Sequence, residues 1–330
     1  MVRYALIRLA LVPLMLLVVL TIIFFVINLA PGSPFSGSHS LPPQIEANLK
    51  AKYGLDQPRW KQYTHFLARL TGFVYEANGS YSWHAYPDFG DSTKYRDRTV
   101  NEIIVAAAPI SIVIGVTAYG IALILGLAGG MVAALHRNTW VDHIAMFVAT
   151  LGLSLPAIIL GPLLVILFSL TFYWFPPARL EWAVQWGWLR IPTLRTLALP
   201  AITLSGVYIA YIARLNRAAL VDVLKPDYIR TARAKGLPEW RVLLVHAVRG
   251  GLLPVITFSG PALASLVAGT VIVEKIFAIP GLGSFFIDAV MNRDHFLLLG
   301  LSAFGAIALM FANVLVDLAY AYIDPRIQYD

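Results

Sequence analysis

The apolar residues of this chain are gathered into long blocks, and that one feature decides most of what the chain can fold into. A hydrocarbon layer about 30 Å thick needs roughly 20 consecutive apolar residues for each helix that crosses it. Blocks run from Leu9 to Ala30, about Ile103 to Leu135, Ile144 to Tyr173, Leu197 to Ala213, Leu252 to Val273 and Phe296 to Ile323. The expected class is therefore an all-α, polytopic membrane protein with six transmembrane helices. Composition agrees: 58% of residues are hydrophobic and only 13% charged, too little charge to clothe a water-soluble surface of this size.

The blocks divide the chain. Residues 1–35 hold the N-terminal segment and first span, and 36–102 form a polar, turn-rich segment with mixed charges. Residues 103–323 form a core of five spans, 220–250 a basic loop inside that core, and 324–330 a short tail. Arg3 and Arg8 precede the first span as they would precede a signal peptide. That block is longer than the about 7–15 residues of a signal h-region, and it ends at Ala30-Pro31-Gly32-Ser33-Pro34 with no small-x-small cleavage site. An uncleaved span is expected. In the polar segment, short helices are expected from Pro42-Pro43-Gln44 through Tyr53 to Gly54 and from Trp60 to Leu70. In the third span, interruptions are expected at Pro156 and Pro162. A loop with Trp174, Trp182, Trp186 and Trp188 suits a membrane interface.

Charge sets the expected orientation. The loop between the fourth and fifth spans carries Arg214, Arg217, Lys225, Arg230, Arg233, Lys235, Arg241 and Arg249, and Arg3, Arg8, Arg137 and Arg326 fall on the same side. The short loops opposite hold only Arg179, Arg190, Arg195, Lys275 and Arg293. By the positive-inside rule, both termini face the cytoplasm and the long segment after the first span lies outside. This distribution accounts for the net charge of +7, and no basic, aromatic-interleaved module speaks for nucleic acid. With no cysteine, a disulfide framework, a thiolate metal site and a Cys nucleophile are all excluded.

The span centres carry no ionisable residue of the kind that couples a secondary transporter to protons or ions. Glu274 falls at a span end, and Asp317 near the cytoplasmic end of the sixth span. The phosphate-binding pattern G-x-x-x-x-G-K-[ST] is absent, so energy has to come from elsewhere. No catalytic residue and no metal site is assigned. Gly126-x-x-x-Gly130 and Gly260, Ala264, Ala268 invite close helix packing, within the chain or with a partner helix.

The most informative stretch is Lys225-Pro226-Asp227-Tyr228-Ile229-Arg230-Thr231-Ala232-Arg233-Ala234-Lys235-Gly236-Leu237-Pro238-Glu239. Asp227 is a good N-cap, basic residues fill the end of the short helix, and Gly236 suits the left-handed residue that closes it. Pro238 is tolerated in the first turn of a following helix, Glu239 to Val248. Two short helices at a sharp angle are expected beneath the membrane. Ala232, Ala234 and Gly236, flanked by cations, form a low-profile surface suited to docking in a groove of another protein; contact with anionic lipid is the blander alternative.

This stretch resembles the cytoplasmic EAA loop of ABC importer permeases, in the form Arg-Thr-Ala-Arg-Ala-Lys-Gly found in the oligopeptide and dipeptide branch. The later Ile-x-Leu-Pro of the general pattern is missing, and His246-Ala247-Val248-Arg249 stands there. Ala30-Pro31-Gly32-Ser33-Pro34-Phe35, Leu41-Pro42-Pro43, Tyr53-Gly54-Leu55-Asp56 and Asp88-Phe89-Gly90 are similar to the B-type subunits of that branch. So are Glu274-x-x-Phe277-x-x-Pro280-Gly281-Leu282-Gly283, Asn292-Arg293-Asp294 and Asp324-Pro325-Arg326-Ile327. Residues from about Thr71 to Pro87, and the Trp-rich loop before Arg195, are longer than is typical.

The resemblance implies a type I permease fold and import of oligopeptides across the cytoplasmic membrane. Dipeptides, nickel, glutathione or antimicrobial peptides are alternative cargoes within the family, and secondary transport is the alternative outside it. It implies as partners a second related permease, two ABC ATPase subunits that bind ATP and Mg, an extracytoplasmic peptide-binding protein, the peptide and membrane lipid. This chain itself would bind no cofactor. Tyr228, Arg230, Thr231, Ala232, Arg233, Ala234, Lys235 and Gly236 would couple to an ATPase. Glu274, Phe277, Pro280, Gly281 and Gly283 would form a loop at the outer mouth.

Overall fold

The computed structural model describes residues 2–29, 35, 42–75, 81–95, 97–177, 180–186, 189–225, 227–238, 241–242 and 247–323. The long apolar blocks fold as helices, because a helix pairs every interior N–H and C=O within its own segment. Helix α1 spans Val2–Leu29, and α2 (Pro43–Lys52) and α3 (Arg59–Leu70) follow. Helix α4 (Val100–Leu135) opens on a capping box: Thr99 Oγ1 accepts from the Glu102 N–H at 3.1 Å, and Glu102 Oε2 accepts from the Thr99 N–H at 3.2 Å. At ~1.5 Å per residue its 36 residues reach about 54 Å, well beyond the apolar layer.

Helix α5 (Trp140–Ser154) and α6 (Ala157–Leu164), which runs on as a π-helix over Val165–Thr171, meet at 98°. The expected interruption at Pro156 is there, with its carbonyl accepting from the N–H groups of Ile159 and Leu160. That at Pro162 is not; this proline lies inside α6, and the wider π-helical turns begin three residues later. Helix α7 covers Leu194–Val223, ten residues past the expected end at Ala213, because Asn216 and Leu220 continue its buried stripe. Then come α8 (Asp227–Ala234), α9 (Val248–Val267), α10 (Val271–Ile276), α11 (Leu282–Asn292) and α12 (His295–Ile323). The fifth span is broken at Gly269, which has φ 109° and whose Cβ would meet the Gly283 nitrogen at 2.3 Å. Among the described residues, five helices are long and apolar enough to cross a membrane, or six when the bent α5–α6 pair counts as one span.

The two loops of unusual length contain the described strands. Strand β1 (Phe73–Tyr75) pairs antiparallel with β2 (Tyr81–Trp83), Phe73 opposite Trp83. Strand β3 (Trp182–Trp186) pairs antiparallel with β4 (Leu189–Pro192), with an irregularity between Trp182 and Val184. These small hairpins decorate a helical bundle and leave its class unchanged.

The main core lies between α4, α7 and α9, where Ile114, Ile212 and Leu266 are almost wholly buried. Gly126 and Gly130 turn inward: a Cβ would meet Ile212 at 2.8 Å and the Ala213 carbonyl at 2.6 Å, respectively. This pair therefore serves packing within the chain. Helix α1 lies at the edge, where Leu20 and Phe24 pack with Leu299 and Ala303 of α12 and Phe66 of α3. The two ends of α4 define two faces. Its start packs on the start of α12, through Val100, Ile104 and Leu297, on the face that carries α2 and α3. Its end, at Met131 and Ala134, meets α8. Since α1 and α12 run antiparallel, the start of α1 and the end of α12 lie on the α8 face.

Candidate functional site

Helix α8 is short, and one side of it is apolar. Ile229 is fully buried and Ala232 nearly so, one helical turn apart, against Ala134 of α4, Leu220 of α7, Val242 and Ala247. Burying an Ile side chain contributes about 1.5–3 kcal/mol toward seating an eight-residue helix that could not stand alone. Arg230, Thr231, Arg233, Ala234, Lys235 and Gly236 face outward. Ala232 thus belongs to the anchor, and the small outward surface is narrower than expected, resting on Ala234 and Gly236. The side chains of Asp227 and Tyr228 lie outside the described residues, as do Pro226 and most of the helix expected from Glu239 to Val248.

The C-terminus of α8 closes as a Schellman motif. The Gly236 N–H donates to the Arg233 carbonyl at 2.9 Å and the Leu237 N–H to the Ala232 carbonyl at 3.4 Å, while Gly236 takes φ 76°. Leu237 packs in the same cluster as Ala232, which completes the motif's apolar contact. The Pro238 carbonyl then accepts from the Arg241 and Val242 N–H groups and starts the next turn. The chain reverses sharply here, and its basic surface is presented on a fixed corner.

Beneath this corner lies an ion pair that composition could not reveal. Arg217 of α7 donates through Nε to Asp142 Oδ1 at 2.7 Å and through a terminal nitrogen to Oδ2 at 2.5 Å. The Asp142 side chain is 2% exposed and also accepts from the Asn138 N–H at 3.0 Å, so one carboxylate fastens both the α4–α5 turn and α7. Nearby, Asn216 donates to the Leu127 carbonyl of α4 at 2.9 Å. These contacts tie α5 to α7 and α7 to α4, and the apolar side of α8 packs on α4 and α7. The only prior signal was Arg217 itself, assigned to a basic loop rather than to a helix.

On the opposite face the Glu274 carboxylate gathers a clasp. It is 1% exposed and accepts from Ser111 Oγ of α4 at 2.9 Å, the Thr270 N–H at 3.2 Å and the Ser284 N–H at 2.8 Å. Ser111 Oγ in turn accepts from the Leu282 N–H at 2.9 Å. A Cβ on Gly281 would meet the Glu274 carboxyl carbon at 2.5 Å, and one on Gly283 the Val271 nitrogen at 2.6 Å. Phe277 is buried and Pro280 exposed. The five loop residues picked from sequence are thus brought together, with Glu274 as the inward knot. Asp294 does similar work next door: it caps α12 through the Leu297 N–H at 3.1 Å and holds the 92–94 turn through Ser92 Oγ and the Thr93 N–H.

Comparison with known proteins covers nearly the whole chain. Residues 126–329 match the family described as "Binding-protein-dependent transport system inner membrane component", and residues 1–115 its N-terminal counterpart, "Binding-prot-dependent transport system membrane comp, N-term". The chain is 39% identical over 314 residues, 95% of each chain, to the oligopeptide transport system permease protein OppB of Escherichia coli (strain K12). It is 37% identical over 328 residues, 99% of this chain and 98% of the relative, to the dipeptide transport system permease protein DppB of Bacillus subtilis. DppB of Lactococcus lactis is 34% identical over 99% of this chain and all of the relative. The chain belongs to the binding-protein-dependent transport system inner membrane components, the multi-pass type I permeases of ABC importers.

Proposed function

We propose that this chain is one permease subunit of an ATP-driven oligopeptide importer, paired with a second related permease and two cytoplasmic ATPases. An extracytoplasmic binding protein delivers the peptide. ATP and Mg bind the ATPases, and this chain carries no cofactor of its own. The observation that carries the reading is α8: a short helix with its apolar side locked to α4 and α7 and its basic side turned out on a Schellman corner. Such a corner suits a handle for an external motor, with α8 in a cleft of one ATPase and the α8 face toward the cytoplasm, as the positive-inside rule requires. Closure of the ATPases displaces α8, and the Asp142–Arg217 pair passes that displacement to α5 and α7 as a rigid body. The loop at Glu274, Phe277, Pro280, Gly281 and Gly283 borders the outer mouth.

Oligopeptides are favoured by the OppB relatives, and dipeptides are the second reading because relatives named for dipeptide transport match nearly the whole chain. The test is reconstitution of the complete assembly in proteoliposomes. ATP hydrolysis should rise when the loaded binding protein is added, and peptide should accumulate only with hydrolysable ATP. Peptide movement by this chain alone, without a nucleotide-hydrolysing companion, would sink the proposal.

A further inference from the structure

A cavity of about 470 Å³ opens where α1, α2, α3 and the start of α12 meet, on the face opposite α8. Its floor is apolar, with Phe24, Phe66 and Leu299, and continues onto the exposed side of α1 at Phe25, Val26 and Leu29. Its rim is basic: Lys52 and Arg69 line it, and no Asp or Glu is among its described lining residues. Residues 30–41, which join α1 to α2, contain no carboxylate either. The Arg69 guanidinium is half-buried over Gly90, where a Cβ would meet it at 2.3 Å. Among the described residues neither Arg69 nor Lys52 forms an ion pair. A half-buried guanidinium with no carboxylate paired to it among the described residues favours an anion from outside the chain.

We propose that this cavity holds the headgroup phosphate of an acidic phospholipid, with Lys52 and Arg69 on the phosphate and the acyl chains against Phe24, Phe66 and Leu299. Cationic rim and apolar floor together fit an anionic amphiphile better than a small soluble anion. Burial, and then the charges of Arg69 and Lys61, hold the His65 pKa below its ordinary value, so the positive charge of the rim rests on Lys52 and Arg69. The site lies beside α1 at the edge of the bundle, away from the α4–α7–α9 core, and is independent of what the chain transports.

The full chain, purified in detergent, is titrated with phosphatidylglycerol or phosphatidylcholine, and bound lipid is read by native mass spectrometry. One phosphatidylglycerol should be retained selectively. Lys52→Gln, on the exposed end of α2 where folding is safe, and Arg69→Gln should each weaken it roughly tenfold or more. Lys61→Gln, on the exposed side of α3 outside the cavity lining, should leave it unchanged. Equal retention by Lys52→Gln, Arg69→Gln and the parent overturns the proposal, as does equal binding of phosphatidylcholine. Displacement of the lipid by inorganic phosphate alone at similar concentration overturns it in favour of a free-phosphate site.

Discussion

At Gly236 the backbone turns left-handed, yet a Cβ there would meet nothing within 4 Å. The glycine is needed for conformation and not for space, so a β-branched residue should strain the corner by about 1–2 kcal/mol without a clash. Gly236→Val is expected to insert into the membrane at the parent level while substrate-stimulated ATP hydrolysis falls; Gly236→Asn, which tolerates this conformation, should lose less. Equal coupling in the Val variant would remove α8 from the proposed role. Glu274 presents the opposite case, where chemistry and space both matter. Its carboxylate only accepts, so Glu274→Gln turns an amide N–H₂ toward donors and should cost about 1–3 kcal/mol. Gly281→Ala should cost as much through crowding alone. Thermal unfolding of the purified chain reads both. That Gly236 closes a helix was legible in the sequence, because capping is a local pattern. That Glu274 reaches Ser111, 163 positions away, was not.

Among elements, the α5–α7 contact is where removal of one charge should matter most. Arg217→Ala uncovers Asp142 and leaves it unpaired, which is expected to destabilise by about 1–3 kcal/mol, and Arg217→Lys should recover only part because the two-pronged contact is lost. The double variant Asp142→Asn/Arg217→Ala should be milder than Arg217→Ala; additive losses in a double-mutant cycle would deny the pair its coupling. On the other face, the turn before α4 is tied to α11 where Tyr95 donates to Asp288 Oδ2 at 3.2 Å. Burial, then the Asp288 charge and that hydrogen bond, push the Tyr95 phenol up to about 12 from its usual 10.0. The folded chain favours the neutral phenol, so its contribution to stability is whole below pH 10 and is lost as pH climbs toward 12. Tyr95→Phe should therefore lose less stability than the parent across that window in alkaline unfolding. Span positions were legible because the bilayer demands long apolar runs. Span ends were not: α7 runs on to Val223 because protein, not lipid, covers Leu220.

For the molecule as a whole, the sequence carried the number of spans, the distribution of charge and the basic corner, since these follow from solvent and from local chemistry. It could not place α8 under α4 and α7 or put the cavity beside α1, since both depend on contacts between distant segments. The two faces invite a direct test, for the chain contains no cysteine and every introduced thiol is unique. Lys61→Cys lies on α3, on the face opposite α8, and Lys235→Cys on the corner after α8, and both positions are exposed. In intact cells with a permeabilised outer layer, a membrane-impermeant maleimide should label Lys61→Cys and spare Lys235→Cys. After the inner membrane is opened in cells lacking the ATPase subunits, Lys235→Cys should label as well. The reverse order would turn the molecule over, place α8 away from any cytoplasmic ATPase and leave the proposed transmission from α8 to α5 and α7 with no motor to drive it.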